Sequence, residues 1–301
     1  MSIEELKRDF TEAFESVCRG HRNRFDVFRD WAECAMMATY NSPVTMGILK
    51  PDDTYHAFEK RYLEIVANYS QDEVKAFIKM LGIVQVVLEE TKLDFLGSIY
   101  QELEIGGKPT KGEFFTPFPL AQALASVTLE KEDVVQSAID EKGYISFYEP
   151  CVGAGSLLIA ASLVLEESGI DPRKYLLFKA ADINAIFCNM TYIQAASLGL
   201  IGWVCHENSL TQERWQVLTT PRLQVFSRKD DFTVAAKIFS VVEEFNVGND
   251  DDEILPHNLE LEIQKKDKIT EVETQAIVVS VTDATNQQLN FFDLLEGEDS
   301  A

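Results

Sequence analysis

An apolar strand that runs into a glycine turn and then into an apolar helix is the feature that most constrains this fold. Ile145 and Phe147 mark the strand, Gly153 and Gly155 mark the turn, and the helix extends over residues 157–165. Glycine lets the backbone approach a ligand closely, and the N-terminus of the helix presents free N–H groups. This order of elements predicts an α/β sheet that binds a nucleotide-like ligand at its edge.

The acidic residue at the end of this strand, Glu149, restricts what the turn can bind. A phosphate beside a carboxylate would be repelled, whereas a cationic or amino-bearing ligand such as S-adenosylmethionine would be attracted. No lysine follows the turn, so the segment is not a P-loop. The G-x-G pattern alone is weak evidence, and its pairing with an upstream Phe-Phe-Thr-Pro, residues 114–117, makes it strong.

Three segments of the chain, taken in order, resemble the adenine-N6 DNA methyltransferases. They are residues 94–100, 112–117 and 149–156. The resemblance is closest to the modification subunits of type I restriction systems and to a shortened group of phage- and plasmid-borne DNA methylases. It implies a doubly wound, Rossmann-like methyltransferase sheet preceded by a helical N-terminal domain. It also implies S-adenosyl-L-methionine as the cofactor and DNA as the substrate.

The resemblance further implies that one set of residues surrounds the cofactor. In the family, Phe-Phe-Thr-Pro borders the methionine end, and the glycine turn wraps the cofactor. An acidic residue after the second strand binds the ribose hydroxyls, and a residue after the third strand contacts adenine. A carboxylate at the end of the apolar run 176–181 can accept two hydroxyl hydrogen bonds. The implied cofactor-binding residues are Phe115, Thr116, Pro117, Glu149, Gly153, Gly155, Asp182 and Asn208.

The chain departs from the family at the segment that receives the target base. These enzymes place Asn/Asp-Pro-Pro-Tyr/Phe after the fourth strand, where it accepts hydrogen bonds from the amine and stacks on the extruded base. This chain has no Pro-Pro, and its nearest segment, residues 219–223, lacks both the amide and the adjacent aromatic. The shortened phage and plasmid group is similar here, with Trp215 and Pro221 at comparable places. No catalytic residue is therefore assigned.

Three explanations of this departure remain open: a variant site, a methyltransferase completed by a partner, and a cofactor-binding protein without catalysis. The first functional hypothesis is an adenine-specific DNA methyltransferase of a restriction–modification system, or its cofactor-binding subunit. It would transfer methyl directly to an extruded base, without a covalent intermediate. The alternative is a catalytically degenerate methyltransferase-fold protein that binds a replication or restriction component. An enzyme is favoured, and the missing motif separates the two hypotheses.

The charge of the chain argues against autonomous DNA binding. With 50 acidic and 27 basic residues the net charge is -23, whereas affinity for DNA comes largely from phosphate neutralisation. A solvated acidic surface explains this charge, and imitation of DNA is another explanation. We expect DNA to be reached through a recruiter or a specificity subunit. Two groups of basic residues could still face phosphates or be ordinary surface charge: Lys7, Arg8, Arg19, His21, Arg22, Arg24 and Arg29, and Arg214, Arg222, Arg228 and Lys229.

Other compositional features point to a cytoplasmic protein. The five cysteines are scattered without a C-x-x-C pattern, and the four histidines show no ligand spacing. We therefore expect a reduced protein with no metal site. No apolar run is long enough to cross a bilayer, and no signal peptide follows Met1, so no membrane association is expected.

The apolar periodicity predicts helices over residues 3–17, 25–40, 53–68 and 71–90, with Asn41-Ser42-Pro43 as a break. Helix and strand then alternate to about residue 228, which indicates a parallel sheet. A helix over residues 231–245 and β-rich segments at 258–264 and 270–281 follow. The predicted domains are a helical N-terminal domain (1–104), a methyltransferase-like domain (105–245), and an acidic β-rich extension with a flexible tail (246–301).

The tail contains a short peptide, Gln288-Leu289-Asn290-Phe291-Phe292. It resembles the peptide by which bacterial proteins bind the replication sliding clamp, in which a glutamine precedes large apolar residues. Gln288 would hydrogen-bond at the rim of a hydrophobic pocket, while Leu289, Phe291 and Phe292 carry the apolar contacts. The alternative is that these apolar residues fasten the tail to the core of the protein itself.

Overall fold

Apolar side chains at three- to four-residue spacing fold the N-terminal region into four helices, as the sequence predicts. Capping residues define where each helix begins. Ser2 and Ser70 each form a capping box with the glutamate three residues further on. Asn23 and Asp52 accept hydrogen bonds from the first turns of the other two. The helices are α1 (Ile3–Cys18), α2 (Arg24–Thr45), α3 (Asp53–Val66) and α4 (Gln71–Thr91).

The computed structural model describes residues 2–19, 22–106, 115–129 and 132–228. Several predictions fall beyond this part of the chain and stay predictions. They are the helix over residues 231–245, the β-rich segments, the 246–301 extension and the tail peptide at residues 288–292.

The expected break at Asn41-Ser42-Pro43 is wrong, because α2 continues through Pro43 to Thr45. Proline removes the N–H that would bond to the carbonyl four residues earlier, here that of Thr39. Ser42 compensates, since its hydroxyl donates to the same carbonyl oxygen at 2.8 Å. The Nδ2 of buried Asn41 donates to Glu59 of α3 at 2.9 Å. A polar contact between two helices therefore sits where the sequence suggests a loop.

Three helices follow the bundle in the sequence and precede the first strand: α5 (Phe95–Glu102), α6 (Phe118–Leu129) and α7 (Glu132–Lys142). Asp94 caps α5 by accepting a hydrogen bond from the N–H of Gly97. Ala121 and Ala125 form the buried face of α6, which allows another helix to pack closely against it.

A parallel sheet forms the second half of the described chain. Its strands lie in the order of the sequence, and β2 is buried along nearly its whole length. This burial explains why β2 reads as an apolar run rather than as an alternating pattern. The parallel strands are β1 (Ile145–Glu149), β2 (Leu176–Asp182) and β3 (Ile201–Asn208). The helices α8 (Ser156–Glu167), α9 (Pro172–Tyr175) and α10 (Ala185–Ser197) connect them.

The last strand, β4 (Glu213–Thr219), runs antiparallel to β3 and forms a hairpin with it. Because Asn208 pairs with Glu213 and Trp203 pairs with Thr219, β4 begins at the carboxyl edge of the parallel strands and ends at their amino edge. The final helix, α11 (Pro221–Arg228), follows there. The predicted α/β class with a mostly parallel sheet preceded by helices is confirmed, and the described strands lie side by side in the order of the sequence.

The helical bundle and the sheet share one core. α10 packs against α2 and α4, and the fully buried Tyr192 of α10 donates a hydrogen bond to the Thr219 carbonyl at 3.0 Å. All described residues belong to one unit, Met1–Asp230. No division is visible between residues 104 and 105, and the domain boundary expected there stays a prediction. Among the described helices, none is both long and apolar enough to cross a membrane.

Candidate functional site

Two glycines give the turn after β1 a backbone that other residues rarely adopt. Gly153 has φ 59° and Gly155 has φ 101°. The N–H of Val152 donates to the Ala181 carbonyl of β2 at 2.9 Å, which holds the turn against the end of that strand. A Cβ on Gly155 would lie 3.3 Å from Oγ1 of Thr191. The turn is therefore folded tightly between β2 and α10, and α8 begins directly after it.

Asp182 ends β2 and holds the same turn through its carboxylate. Its Oδ2 accepts a hydrogen bond from the N–H of Gly153 at 2.9 Å, and its Oδ1 accepts from the N–H of Asn184 at 2.9 Å. The side chain is buried, with 8% of the residue exposed. Each carboxylate oxygen has a second lone pair, so the group can still accept hydrogen bonds from ligand hydroxyls. The structure thus brings together two of the residues that the sequence singles out.

Phe115 packs against the opposite side of the turn. A Cβ on Gly153 would lie 3.0 Å from Cδ1 of the Phe115 ring, so a side chain at this position would require the ring to shift. The ring also contacts Phe187 of α10 edge to face, with centroids 4.9 Å apart. Thr116 and Pro117 follow, and the Pro117 carbonyl accepts the first hydrogen bonds of α6. Phe115 therefore borders the glycine turn, and Pro117, two residues later, directly precedes α6.

Asn208 ends β3 at the same carboxyl edge, where it shapes the β3–β4 turn. Its Oδ1 accepts hydrogen bonds from the N–H groups of Leu210 at 3.0 Å and Thr211 at 3.2 Å. The hydroxyl of Ser209 donates to the Pro150 carbonyl at 2.7 Å, which ties this turn to the one after β1. The carboxyl edges of β1, β2 and β3 therefore form one continuous site.

The site carries a negative field. Glu149, at the end of β1, accepts a hydrogen bond from the N–H of Cys151 at 3.2 Å. Burial raises the pKa of the Cys151 thiol, and the charges of Asp182 and Glu149 raise it further. The thiol therefore stays protonated at neutral pH and is a poor nucleophile. The same field favours a cationic ligand over a phosphate.

The Thr-Thr-Pro segment at residues 219–221 lies far from this site. The hydroxyl of Thr220 accepts a hydrogen bond from the N–H of Gly202 at 3.2 Å. The backbone N–H of Thr220 donates to the Gly202 carbonyl at 3.0 Å. Gly202 lies near the start of β3, six residues before Asn208 at the other end. At about 3.3 Å per residue the two edges are roughly 20 Å apart. The segment therefore joins β4 to α11, with no access to the carboxyl edge.

Thr191 is a residue of the site that the sequence did not reveal. Its Oγ1 donates a hydrogen bond to the Gly153 carbonyl at 2.8 Å, from the second turn of α10. The available signal was a buried-looking polar residue in a mostly apolar helix that also carries Asn189 and Gln194. The role of such a residue can be assigned only when its hydrogen-bond partner, here the Gly153 carbonyl, is known.

Five of the six described members of the first basic group form ion pairs, as does Arg214 of the second group, while His21 and Lys229 lie outside the described residues. Arg22 forms an ion pair with Glu73 at 3.0 Å and lies over the Tyr69 ring. The other pairs are Lys7–Glu102, Arg8–Asp9, Arg8–Glu12, Arg24–Glu15, Arg29–Asp26 and Arg29–Asp30 in the first group and Arg214–Glu207 in the second.

Arg222 is buried, and this burial lowers the pKa of its guanidinium. It lies beside α9 rather than on an open surface, so it does not extend a phosphate-binding face. Within the described ranges, no group of His, Cys, Asp and Glu residues could hold a metal ion.

A parallel sheet with a glycine turn after its first strand and an acidic residue after its second defines a Rossmann-like ligand-binding domain. Comparison with protein families identifies which one. The family described as N-6 DNA Methylase matches residues 92–267. This match covers more than half of the 301 residues, so the chain belongs to the N-6 DNA methylase family. The resemblance inferred from the sequence is thereby confirmed.

No curated protein matches the sequence. Among solved structures, a protein of Listeria monocytogenes, provisionally assigned as a class I S-adenosylmethionine-dependent methyltransferase, is 13% identical. The match covers 69% of this chain and 55% of that chain, with a TM-score of 0.33. The chain therefore matches little more than half the length of that protein, and a likeness at this TM-score carries no weight for the site.

Proposed function

We propose that this chain binds S-adenosylmethionine at the carboxyl edge of its sheet and acts in the adenine-N6 methylation of DNA. The contact between Asp182 and Gly153, 2.9 Å from Oδ2 to the amide nitrogen, carries the proposal. A ribose held by Asp182 would lie directly beside the glycine turn. Membership of the N-6 DNA methylase family supports both the cofactor and the substrate class.

Each part of the cofactor has a partner in this arrangement. The unused lone pairs of Asp182 would accept the ribose hydroxyls. The negative field of Glu149 and Asp182 would favour the sulfonium charge, and Phe115 and Pro117 would border the methionine end. Because Oδ1 of Asn208 caps the β3–β4 turn, its amide NH2 is the group that would donate to adenine.

Bound S-adenosylmethionine supplies an electrophilic methyl group. The protein must then hold the extruded adenine, accept hydrogen bonds from its amine and stack on its ring. The segment nearest to the family motif in the sequence, residues 219–221, lies at the opposite edge of the sheet. The family match continues to residue 267, beyond the last described residue. We therefore assign cofactor binding to the described residues and the target-amine site to later residues or to a partner subunit.

DNA would be delivered by another component. The net charge of -23 and the ion pairing of Arg22, Arg24, Arg29 and Arg214 leave little basis for phosphate binding by the described surface. A specificity subunit of a restriction–modification system would fill this role in the cytoplasm. The tail peptide at residues 288–292 offers a second route through a sliding clamp.

A second candidate function is a cofactor-binding protein without transferase activity, which acts by binding a replication or restriction component. One observation favours it. Thr220 is fully buried and bonded to the start of β3, so the nearest counterpart of the target-binding motif has a structural role.

The two candidates are distinguished by a transfer assay with tritiated S-adenosylmethionine and unmethylated plasmid DNA. The chain is tested alone and together with the gene products encoded beside it, with Asp182→Ala as the control. Tritium on adenine N6 with the wild-type chain, and its loss with the Asp182→Ala variant, supports the methyltransferase function. Cofactor binding by the wild-type chain without any transfer, alone or with those products, supports the second candidate and contradicts the first.

A further inference from the structure

Three polar side chains from separate elements meet behind the glycine turn. Asp94 precedes α5, Ser156 is the first residue of α8, and Gln194 lies in α10. Their exposed fractions are 7%, 5% and 0%. Burying polar groups is unfavourable unless each finds a partner, so such a cluster inside the core requires an explanation.

Gln194 is the centre of this cluster and uses its whole side-chain amide. Its Nε2 donates to Asp94 Oδ1 at 2.9 Å and to the Ala154 carbonyl at 2.7 Å. Its Oε1 accepts from the N–H groups of Phe95 at 3.0 Å and Leu96 at 3.1 Å. Two donors and two lone pairs are thus all satisfied. One side chain therefore joins the start of α5 to the middle of the glycine turn.

Asp94 completes the connection from the side of α5. Its Oδ1 also accepts from the N–H of Gly97 at 2.8 Å, and its Oδ2 accepts from the hydroxyl of Ser156. A Cβ on Gly97 would lie 2.2 Å from this carboxylate, so the residue must be glycine. The carboxylate thereby links the cap of α5 to the first residue of α8.

We propose that Asp94, Ser156 and Gln194 form a polar clamp that positions the glycine turn for cofactor binding. The inference rests on the proposed function, and the three are positioning residues, because none of them need touch the cofactor. Ala154 lies between two residues with positive φ, a backbone that is costly to order. Holding this turn in place before the ligand arrives removes that ordering cost from binding. The helices that precede the sheet then contribute directly to cofactor affinity.

A purely structural cluster would also stabilise the fold, so the test needs a matched buried glutamine. Gln224 of α11 is 5% exposed, and its Nε2 donates to the carbonyls of Tyr40 and Thr219 at the amino edge of the sheet. Gln194→Leu and Gln224→Leu each remove the hydrogen bonds of a buried glutamine amide, four in the first and the two to Tyr40 and Thr219 in the second, but only the first removes one from the glycine turn. Ser156→Ala is a milder second variant in case Gln194→Leu does not fold.

Two measurements on the full chain test the clamp. Calorimetry with S-adenosylhomocysteine should show at least tenfold weaker binding for Gln194→Leu, a smaller loss for Ser156→Ala, and wild-type affinity for Gln224→Leu. Hydrogen exchange of the Gly153 and Gly155 amides, without ligand and well below the melting temperature, should accelerate only in the clamp variants.

The two measurements separate the clamp from the proposed function. Wild-type affinity and wild-type exchange at the turn in folded Gln194→Leu or Ser156→Ala would overturn the clamp, as would equal effects in Gln224→Leu. If the wild-type chain binds no cofactor, the proposed function fails, and the exchange rates still decide whether the turn is clamped.

Discussion

Gly155 and Gly169 both adopt a positive φ, of 101° and 78°, but their surroundings differ. A Cβ on Gly155 would crowd Thr191, whereas a Cβ on Gly169 would meet nothing within 4 Å. We expect each alanine variant to lose about 1–2 kcal/mol of unfolding free energy from the left-handed backbone. Gly155→Ala should also weaken cofactor binding, while Gly169→Ala should not. Urea unfolding and calorimetry on both variants provide the measurement, and normal binding by Gly155→Ala would remove the turn from the site.

The field at the site predicts how Cys151 reacts. The charges of Asp182 and Glu149 raise the pKa of its thiol in addition to burial, and only the thiolate is alkylated rapidly. Asp182→Asn removes one negative charge, so the pKa should fall and iodoacetamide should modify Cys151 faster at pH 8. Peptide mass spectrometry follows the rate, with Cys18, whose pKa burial raises to about 11, as an internal reference. An unchanged or slower rate would show that Asp182 does not act on the turn.

Gly153 and Asp182 could be predicted from sequence because each directly follows or ends an apolar strand, and parallel strands place such residues at one edge. Thr191 and Gln194 could not be assigned in the same way. Gln194 contacts Asp94, which lies one hundred positions away in the sequence. Asp94 and Gln194 come together only when α10 packs behind the glycine turn. The sequence pattern within either segment does not show this packing.

At the level of elements, periodicity predicted the four N-terminal helices, and apolar runs marked β1 and β2. Periodicity failed at Pro43, where the Ser42 hydroxyl satisfies the carbonyl that proline leaves open. No strand is predicted over residues 213–219, so both β4 and its direction come from the structure. A strand after β3 can cross over to run parallel or fold back as a hairpin, and the choice depends on the β3–β4 turn that Asn208 caps.

The placement of β4 gives a prediction for Thr220. Thr220→Val keeps the shape of the side chain but removes the oxygen that accepts from the buried Gly202 N–H. We expect a loss of about 1–3 kcal/mol in unfolding free energy. Cofactor affinity should stay at the wild-type value, because the residue lies at the far edge of the sheet. Urea unfolding and calorimetry test both parts. Loss of methyl transfer with unchanged stability would instead give Thr220 a role in the reaction.

The charge distribution of the whole molecule determines how it meets DNA. Several basic residues that the sequence offered as phosphate contacts, Arg22 and Arg214 among them, are paired with carboxylates, Arg222 is buried, and the chain carries a net charge of -23. We expect the isolated chain to bind duplex DNA with a dissociation constant of about 10⁻⁴ M or weaker at physiological salt. Fluorescence anisotropy at two salt concentrations measures this, and nanomolar binding that resists salt would mean that no recruiter is needed.

The claim that the carboxyl edge of the sheet is a cofactor site can be checked by calorimetric titration with S-adenosylmethionine. The wild-type chain should bind, and Asp182→Ala should bind roughly ten- to a hundredfold more weakly, about 1.5–3 kcal/mol, because a charged acceptor is lost. Asp171→Ala removes a carboxylate that pairs with Arg173 beside α9 and should retain wild-type affinity. No binding by the wild-type chain, or equal loss in both variants, would contradict the claim.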